Sequence, residues 1–199
     1  MRNLKKTIIL AALLAVGCTH REKEHCILPA DVSLKRGDIV FRLGCGMSSR
    51  AVTQADGGSL YSHVGIVADS AGIPVIVHAV PYEDGADRVK MELPEEFYSS
   101  IKAMNGAVCR IADTTAARQA AAEALRICRR GTPFNHAYDD DDTLRMYCCQ
   151  LVTSAYHKAG VTLTNGPGHT VRLPWLWIDG CTFPSDIWKS SALTVVREF

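Results

Sequence analysis

The hydrophobic positions fall into short runs rich in β-branched residues and longer series at helical spacing, which together predict a mixed fold. The stretch Leu34-Lys35-Arg36-Gly37-Asp38-Ile39-Val40-Phe41 reads as a turn followed by a strand, because a glycine punctuates it and β-branched and aromatic residues follow. Residues 63–68 predict a second strand, ended by Asp69-Ser70-Ala71-Gly72, and residues 74–80 a third. So short a glycine-containing connection joins two strands as a hairpin. Residues 88–93 and 107–111 give further strands, with a helical turn over 94–100 between them. A helix is expected from a cap at Thr114 or Thr115, whose hydroxyl can accept a backbone N–H. It runs through alanine-rich sequence to about Arg129, with Gly131 just beyond its end.

After the aspartates Asp139 to Asp142, apolar or small side chains recur at Cys148, Leu151, Val152, Ala155, Tyr156 and Ala159. That is the i, i+3, i+4, i+7, i+8, i+11 series of an amphipathic helix, and Gly160 ends it. Cys148 then falls in the first turn on the inward face, and Cys149 points roughly 100° away round the helix axis. The remaining sequence reads as a closing loop around Pro174-Trp175-Leu176-Trp177, a short helix around Pro184-Ser185-Asp186-Ile187-Trp188, and an edge strand over 193–196. Strands cluster and helices segregate, so the expected class is α+β, an antiparallel sheet packed against helices.

Composition narrows the function classes. With 47% hydrophobic and 22% charged residues the 199-residue chain is expected to fold, and disordered, collagen-like and polytopic membrane classes are excluded. Twenty-two basic against 21 acidic residues leave a formal net charge of +1, so no global field draws in nucleic acid and no such partner is expected. Arg2, Lys5 and Lys6 precede an apolar run from Thr7 to Val16 that ends in Gly17-Cys18, the pattern of an export signal. The run falls short of the roughly 20 residues that span a bilayer as a helix, so cleavage is expected rather than a permanent anchor. Ala15-Val16-Gly17-Cys18 is similar to the bacterial lipobox, whose cysteine is lipid-modified and becomes the new N-terminus, although Ala15 stands where leucine is usual. The expected organisation is a lipoprotein signal peptide over 1–18 with Cys18 as the lipidation site, a polar tether over 19–33, and a single domain over 34–199. Such a protein sits in the bacterial cell envelope, held to the membrane by its lipid.

The chain has eight cysteines, and an exported protein meets a compartment where disulfides form. With Cys18 lipidated seven remain, and an odd number leaves at least one free thiol. No pair shows the Cys-x-x-Cys spacing of a structural zinc site, and the acidic run lacks the spaced ligands of a calcium loop, so no metal or other cofactor is expected. A cysteine in a helix's first turn meets the partial positive charge of unpaired N–H groups, which favours the nucleophilic thiolate and can also serve an oxyanion. Cys148 in that place needs a base. His63 opens an otherwise apolar strand after Tyr61-Ser62, and His78 lies in the next strand. If the two strands pair across the Gly72 turn, the rings can be neighbours on one face, with His78 orienting His63 as the third member of a triad. The alternative is a His78 that is simply a core residue bonded to backbone.

Three segments carry a resemblance. Residues 34–41, then Tyr61-Ser62-His63-Val64-Gly65-Ile66, then Tyr147-Cys148-Cys149-Gln150-Leu151-Val152 resemble the landmark motifs of the circularly permuted papain-like amidases of the YiiX and YaeF group, in the NlpC-type cysteine hydrolase superfamily. The order is the permuted one, histidine before cysteine, with 85 residues from His63 to Cys148. The resemblance covers about residues 34 to 188 and implies a permuted papain-like fold with the nucleophile at a helix N-terminus. It makes Cys148 the nucleophile and His63 the general base. It places His78 where the group often has a glutamate, which keeps a hydrogen-bonding partner but removes a carboxylate. Cys149 replaces the usual small hydroxyl residue and Gln150 the usual glutamate, and with Tyr61 these two are expected to line the substrate groove. Cys149 also sets a second thiol beside the first, where a strained vicinal disulfide would silence the enzyme.

The expected function is a cysteine hydrolase, an amidase or peptidase acting on a peptide or other amide substrate, with peptidoglycan stem peptides as candidate substrates, through a thioester. Two rivals stand beside it. Lecithin:retinol acyltransferase-like relatives share the permuted order and act on lipid esters, which suits a membrane tether and the apolar Trp175, Leu176 and Trp177. The other rival is a non-enzymatic lipoprotein that binds a ligand in an inherited groove.

Overall fold

The computed structural model describes residues 23–199 apart from 84, 167, 174 and 175. The expected export signal, Cys18 and Trp175 lie outside the described residues. The elements run β1 (Ile39–Gly44), α1 (Met47–Ala55), β2 (His63–Ser70), β3 (Ile73–Glu83), β4 (Ala86–Glu92), α2 (Pro94–Phe97), β5 (Ala103–Ile111), α3 (Thr114–Arg129), α4 (Cys148–Lys158), β6 (His169–Leu173), β7 (Leu176–Cys181), α5 (Pro184–Trp188) and β8 (Leu193–Glu198). Six strands form one antiparallel sheet in the order β4-β3-β2-β1-β5-β8, the α+β arrangement the sequence pattern predicts.

Alternation along the central strands explains how both faces are covered. Ile39 and Phe41 of β1 and Val64 and Ile66 of β2 point to the face on which α3 and α4 pack. α3 presents Ala116, Ala117, Ala120, Ala121 and Ala124 to that face, and side chains this small let the helix backbone come close to the strands. Val40, Val67 and Ile76 point the other way and meet Phe97 and Tyr98. Part of the segment expected as a tether over 19–33 is docked on the sheet. Ile27, Leu28 and Val32 pack on this second face, Ile27 N–H donates to the Tyr98 carbonyl at 2.9 Å, and Cys26 bridges Ser99. Left uncovered, that apolar face would be exposed to water.

Three other details differ from expectation. The cap of α3 is Asp113, one residue ahead of the threonines, and its carboxylate accepts from the N–H groups of Thr115 at 2.8 Å and Ala116 at 3.0 Å. An ionised acceptor also complements the helix N-terminus better than a hydroxyl does. The segment expected as a closing loop is a hairpin, β6 paired with β7. α1 lies in polar sequence and buries none of its residues, so it carries no strong apolar periodicity.

The hairpin that carries the histidines is tight. β2 and β3 pair from Ile66↔Val77 to Ser70↔Ile73, leaving only Ala71 and Gly72 in the turn, both with positive φ (56° and 87°). That pair of left-handed residues matches the twist of the flanking strands. One step back along the ladder Gly65 comes to face His78, and a Cβ there would stand 2.8 Å from Ile76 Cγ2 and 3.3 Å from His78 Cβ. The bare glycine leaves the space through which His63, two residues away on the same face, reaches His78. Gly65→Ala is accordingly expected to destabilise the fold by about 1–3 kcal/mol through overpacking, measured as a lower urea midpoint with unchanged slope.

Candidate active site

Cys148 is the first residue of α4, after Tyr147 in extended conformation. Its place is set by the loop before it. Gln150, buried in the helix's first turn, donates its side-chain amide to the carbonyls of Asp139, Asp140 and Asp142, and its oxygen accepts from Asn135 Nδ2 at 3.1 Å. Asp140 accepts from the hydroxyls of Tyr147 and Thr182, and Asp142 pairs with Arg145 at 2.7 Å. The acidic run is thus a fastener for the helix start. Gln150 belongs to this fastening and not to the wall of the cleft at Cys148, contrary to expectation. Tyr61 is also away from the cleft, packed between Phe41 and Trp188 with its hydroxyl on Glu198 at 3.2 Å. The buried stripe of α4 runs through Cys149, Val152 and Tyr156, so Cys149 is the inward thiol and Cys148 sits half-buried at the edge of the stripe, facing the cleft.

Three groups converge on the Cys148 sulfur. The Cys149 thiol lies 3.9 Å away and donates to it, and the His63 ring and the Val64 backbone N–H also act on it, each favouring the thiolate. Together these hold the Cys148 thiol well below its ordinary range, against burial, which acts in the opposite sense. Cys149 moves the other way: burial, then the neighbouring Cys148, push it well above the ordinary value, so it remains a donor. The two sulfurs are in contact and unbonded, and all seven described cysteines are thiols.

His63 is the first residue of β2, at the rim where the strand ends. Its Nε2 is 2.8 Å from His78 Nδ1, which leaves Nδ1 for the cysteine. Burial lowers its pKa to about 4, with Arg42 and His78 acting in the same direction and Cys148 opposing, so the ring is neutral near pH 7. Phe97 sets the plane of both imidazoles, stacked on His63 with centroids 5.8 Å apart and edge-on to His78 at 5.1 Å. The Arg42 guanidinium lies over the Phe97 ring, 4.5 Å from its centroid. Behind His78 stands Glu92 of β4, with Oε2 3.1 Å from His78 Nε2. The angle is too bent for a straight hydrogen bond, so that contact is chiefly electrostatic. Arg42, Phe97 and Glu92 escape the sequence reading. The one hint is Lys90-Met91-Glu92, where charges recur at alternate positions of a predicted strand and so share a face.

Two cavities meet at Cys148. A cleft of about 460 Å³ bears His63, Arg42, Glu83 and Lys102 on its walls. A second space of about 220 Å³, which also includes Cys148 in its wall, is lined mainly by apolar groups, among them Val52, Val171, Ile178, Phe183 and Cys149. A thiolate-prone sulfur, a neutral imidazole and free N–H groups at a helix start can form and break an acyl–sulfur bond.

The family described as the permuted papain-like amidase enzymes YaeF/YiiX, C92 family, matches residues 33–196. The chain belongs to this family. It is a family of cysteine peptidases and amidases, so the protein is a cysteine hydrolase. A solved structure, described as the metalloprotein YiiX from Escherichia coli O157:H7, superposes with a TM-score of 0.64 at 19% identity. The match covers 83% of this chain and 97% of that one, a likeness of fold. No curated protein matches the chain. Among the described residues no three His, Cys, Asp or Glu side chains gather as a set that could hold a metal ion.

The thiol pair makes a direct prediction. Cys149→Ala removes a donor from the Cys148 sulfur, so the pH profile of Cys148 alkylation by iodoacetamide shifts to higher pH. Cys149→Ser, which keeps a donor, shifts it less. Equal profiles for all three proteins would show that Cys149 contributes nothing.

Proposed function

We propose that the protein hydrolyses amide bonds through a thioester on Cys148, with His63 as general base and His78 as the third member of the triad. The observation that carries this reading is the convergence of the His63 ring, the Cys149 thiol and the Val64 N–H on one sulfur at the mouth of the cleft. His63 takes the Cys148 proton and the sulfur attacks the carbonyl carbon. The N–H groups of the first turn of α4 receive the negative oxygen, and His63 returns the proton to the departing amine. A water deprotonated by His63 then attacks the thioester, releasing the acid and restoring the thiol.

The substrate is a peptide of the cell envelope, with the stem peptides of peptidoglycan foremost. Two features support this: the export and lipobox pattern ahead of the domain, and a cleft that offers Arg42 and Lys102 beside Glu83 to a substrate with charges of both signs. The apolar space beside Cys148 favours a second reading, an acyl ester or lipid substrate whose chain lies against Val52, Val171 and Phe183.

Incubation with stem peptides and, separately, with phospholipid vesicles separates the two. The first reading expects ninhydrin-positive amine release and the second fatty acid. In either case Cys148→Ala is expected to lower turnover by roughly 10³-fold or more, and an unchanged rate in that variant would remove the thioester mechanism.

A further inference from the structure

Replacing the glutamate usual in this group by His78 leaves the His63 ring facing another imidazole. A neutral imidazole has one N–H and one lone pair, so two facing rings can pair in either sense, and only one sense presents a lone pair to the cysteine. Something must choose. The group that can do so is Glu92.

Its two carboxylate oxygens have separate partners. Oε1 accepts from Lys90 at 2.6 Å and from Lys102 at 2.9 Å. Oε2 is buried and lies 3.1 Å from His78 Nε2, which is also buried, and among the described residues neither atom has a well-aligned hydrogen-bond partner. An ionised carboxylate only accepts, so the proton of His78 belongs on Nε2. Its Nδ1 then holds the lone pair and accepts from His63 Nε2–H at 2.8 Å. That leaves the His63 Nδ1 lone pair directed at Cys148. Each assignment forces the next.

We propose that Glu92 is a positioning residue of this site, acting through His78 to fix the His63 tautomer that serves as base. The charged groups around it are Lys90 on its own strand, His78 on β3, Lys102 ahead of β5, and Glu83 and Arg42 at the mouth of the cleft. The lysines and His78 keep Glu92 ionised, well below the usual carboxylate range, although burial alone would raise it. The carboxylate that the third position lacks is thus supplied one imidazole further from the sulfur. When Cys148 gives its proton to His63 Nδ1, the new positive charge is spread along His63 and His78 toward Glu92. No proton has to leave the line.

This inference rests on the Cys148–His63 reading, and the test keeps the two apart. In the wild-type protein, nitrogen-15 shifts of the histidine rings near pH 7 are expected to show His63 and His78 both protonated on Nε2. A His78 proton on Nδ1 would overturn the proposal without any substitution. In Glu92→Gln, Cys148 alkylation at pH 6 is expected to fall about tenfold, the effect of a one-unit rise in thiol pKa, with the midpoint of thermal unfolding recorded alongside. His78→Glu combined with Glu92→Gln returns a carboxylate directly to His63 and is expected to recover much of the alkylation rate. A merely structural role for Glu92 predicts no such recovery. An activated wild-type Cys148 with an unaltered profile in Glu92→Gln would sink this proposal alone, whereas a wild-type Cys148 no more reactive than a free thiol would sink the reading beneath it.

Discussion

The proposed chemistry depends on one junction, where the first residue of α4 meets the first residues of β2. The helix packs on one face of the sheet and the two histidines project from the other, so cysteine and imidazole can touch only at the rim, where β2 begins. The Val64 N–H and the His63 ring reach the same sulfur from consecutive residues of that strand end. Gln150 and the aspartate loop fix the other side of the junction by anchoring the start of the helix.

Burial has opposite consequences for the groups at this junction. Cys148 and Cys149 are adjacent in sequence, yet the first meets the Cys149 thiol, the His63 ring and the Val64 N–H and favours the thiolate, while the second lies in the core and remains a thiol. His63 and His78 are held neutral by burial, with the Arg42 charge acting in the same direction. Glu92 stays ionised because two lysines and an imidazole offset its loss of water. An isolated charge at that depth would be costly, so the arrangement of Lys90, Lys102 and His78 around it is a condition for the site and not decoration.

Much of this was legible in the sequence for reasons that can be named. The β2–β3 hairpin follows from β-branched runs flanking Ala71-Gly72, and α4 from apolar spacing that Gly160 ends. His63 and His78 could be placed on one face because strand side chains alternate with period two. The β6–β7 hairpin was hidden by Pro174, which breaks a strand pattern, and α1 by polar sequence with no buried face. Glu92 was out of reach because its partnership depends on how β3 registers against β4, His78 beside Lys90 and Ile76 beside Glu92, and local sequence does not specify that alignment. The docking of residues 26–34 escaped for a related reason, since the face they cover exists only once the sheet is formed.

In the proposed mechanism this junction makes Cys148 a thiolate-prone sulfur under the control of His63. It is tested most directly by the thiolate ultraviolet absorbance of the wild-type protein minus that of Cys148→Ala, followed across pH. A titration far below the ~8.5 of a free cysteine that moves upward in His63→Ala is expected. A titration at or above the free value, indifferent to His63, would contradict it.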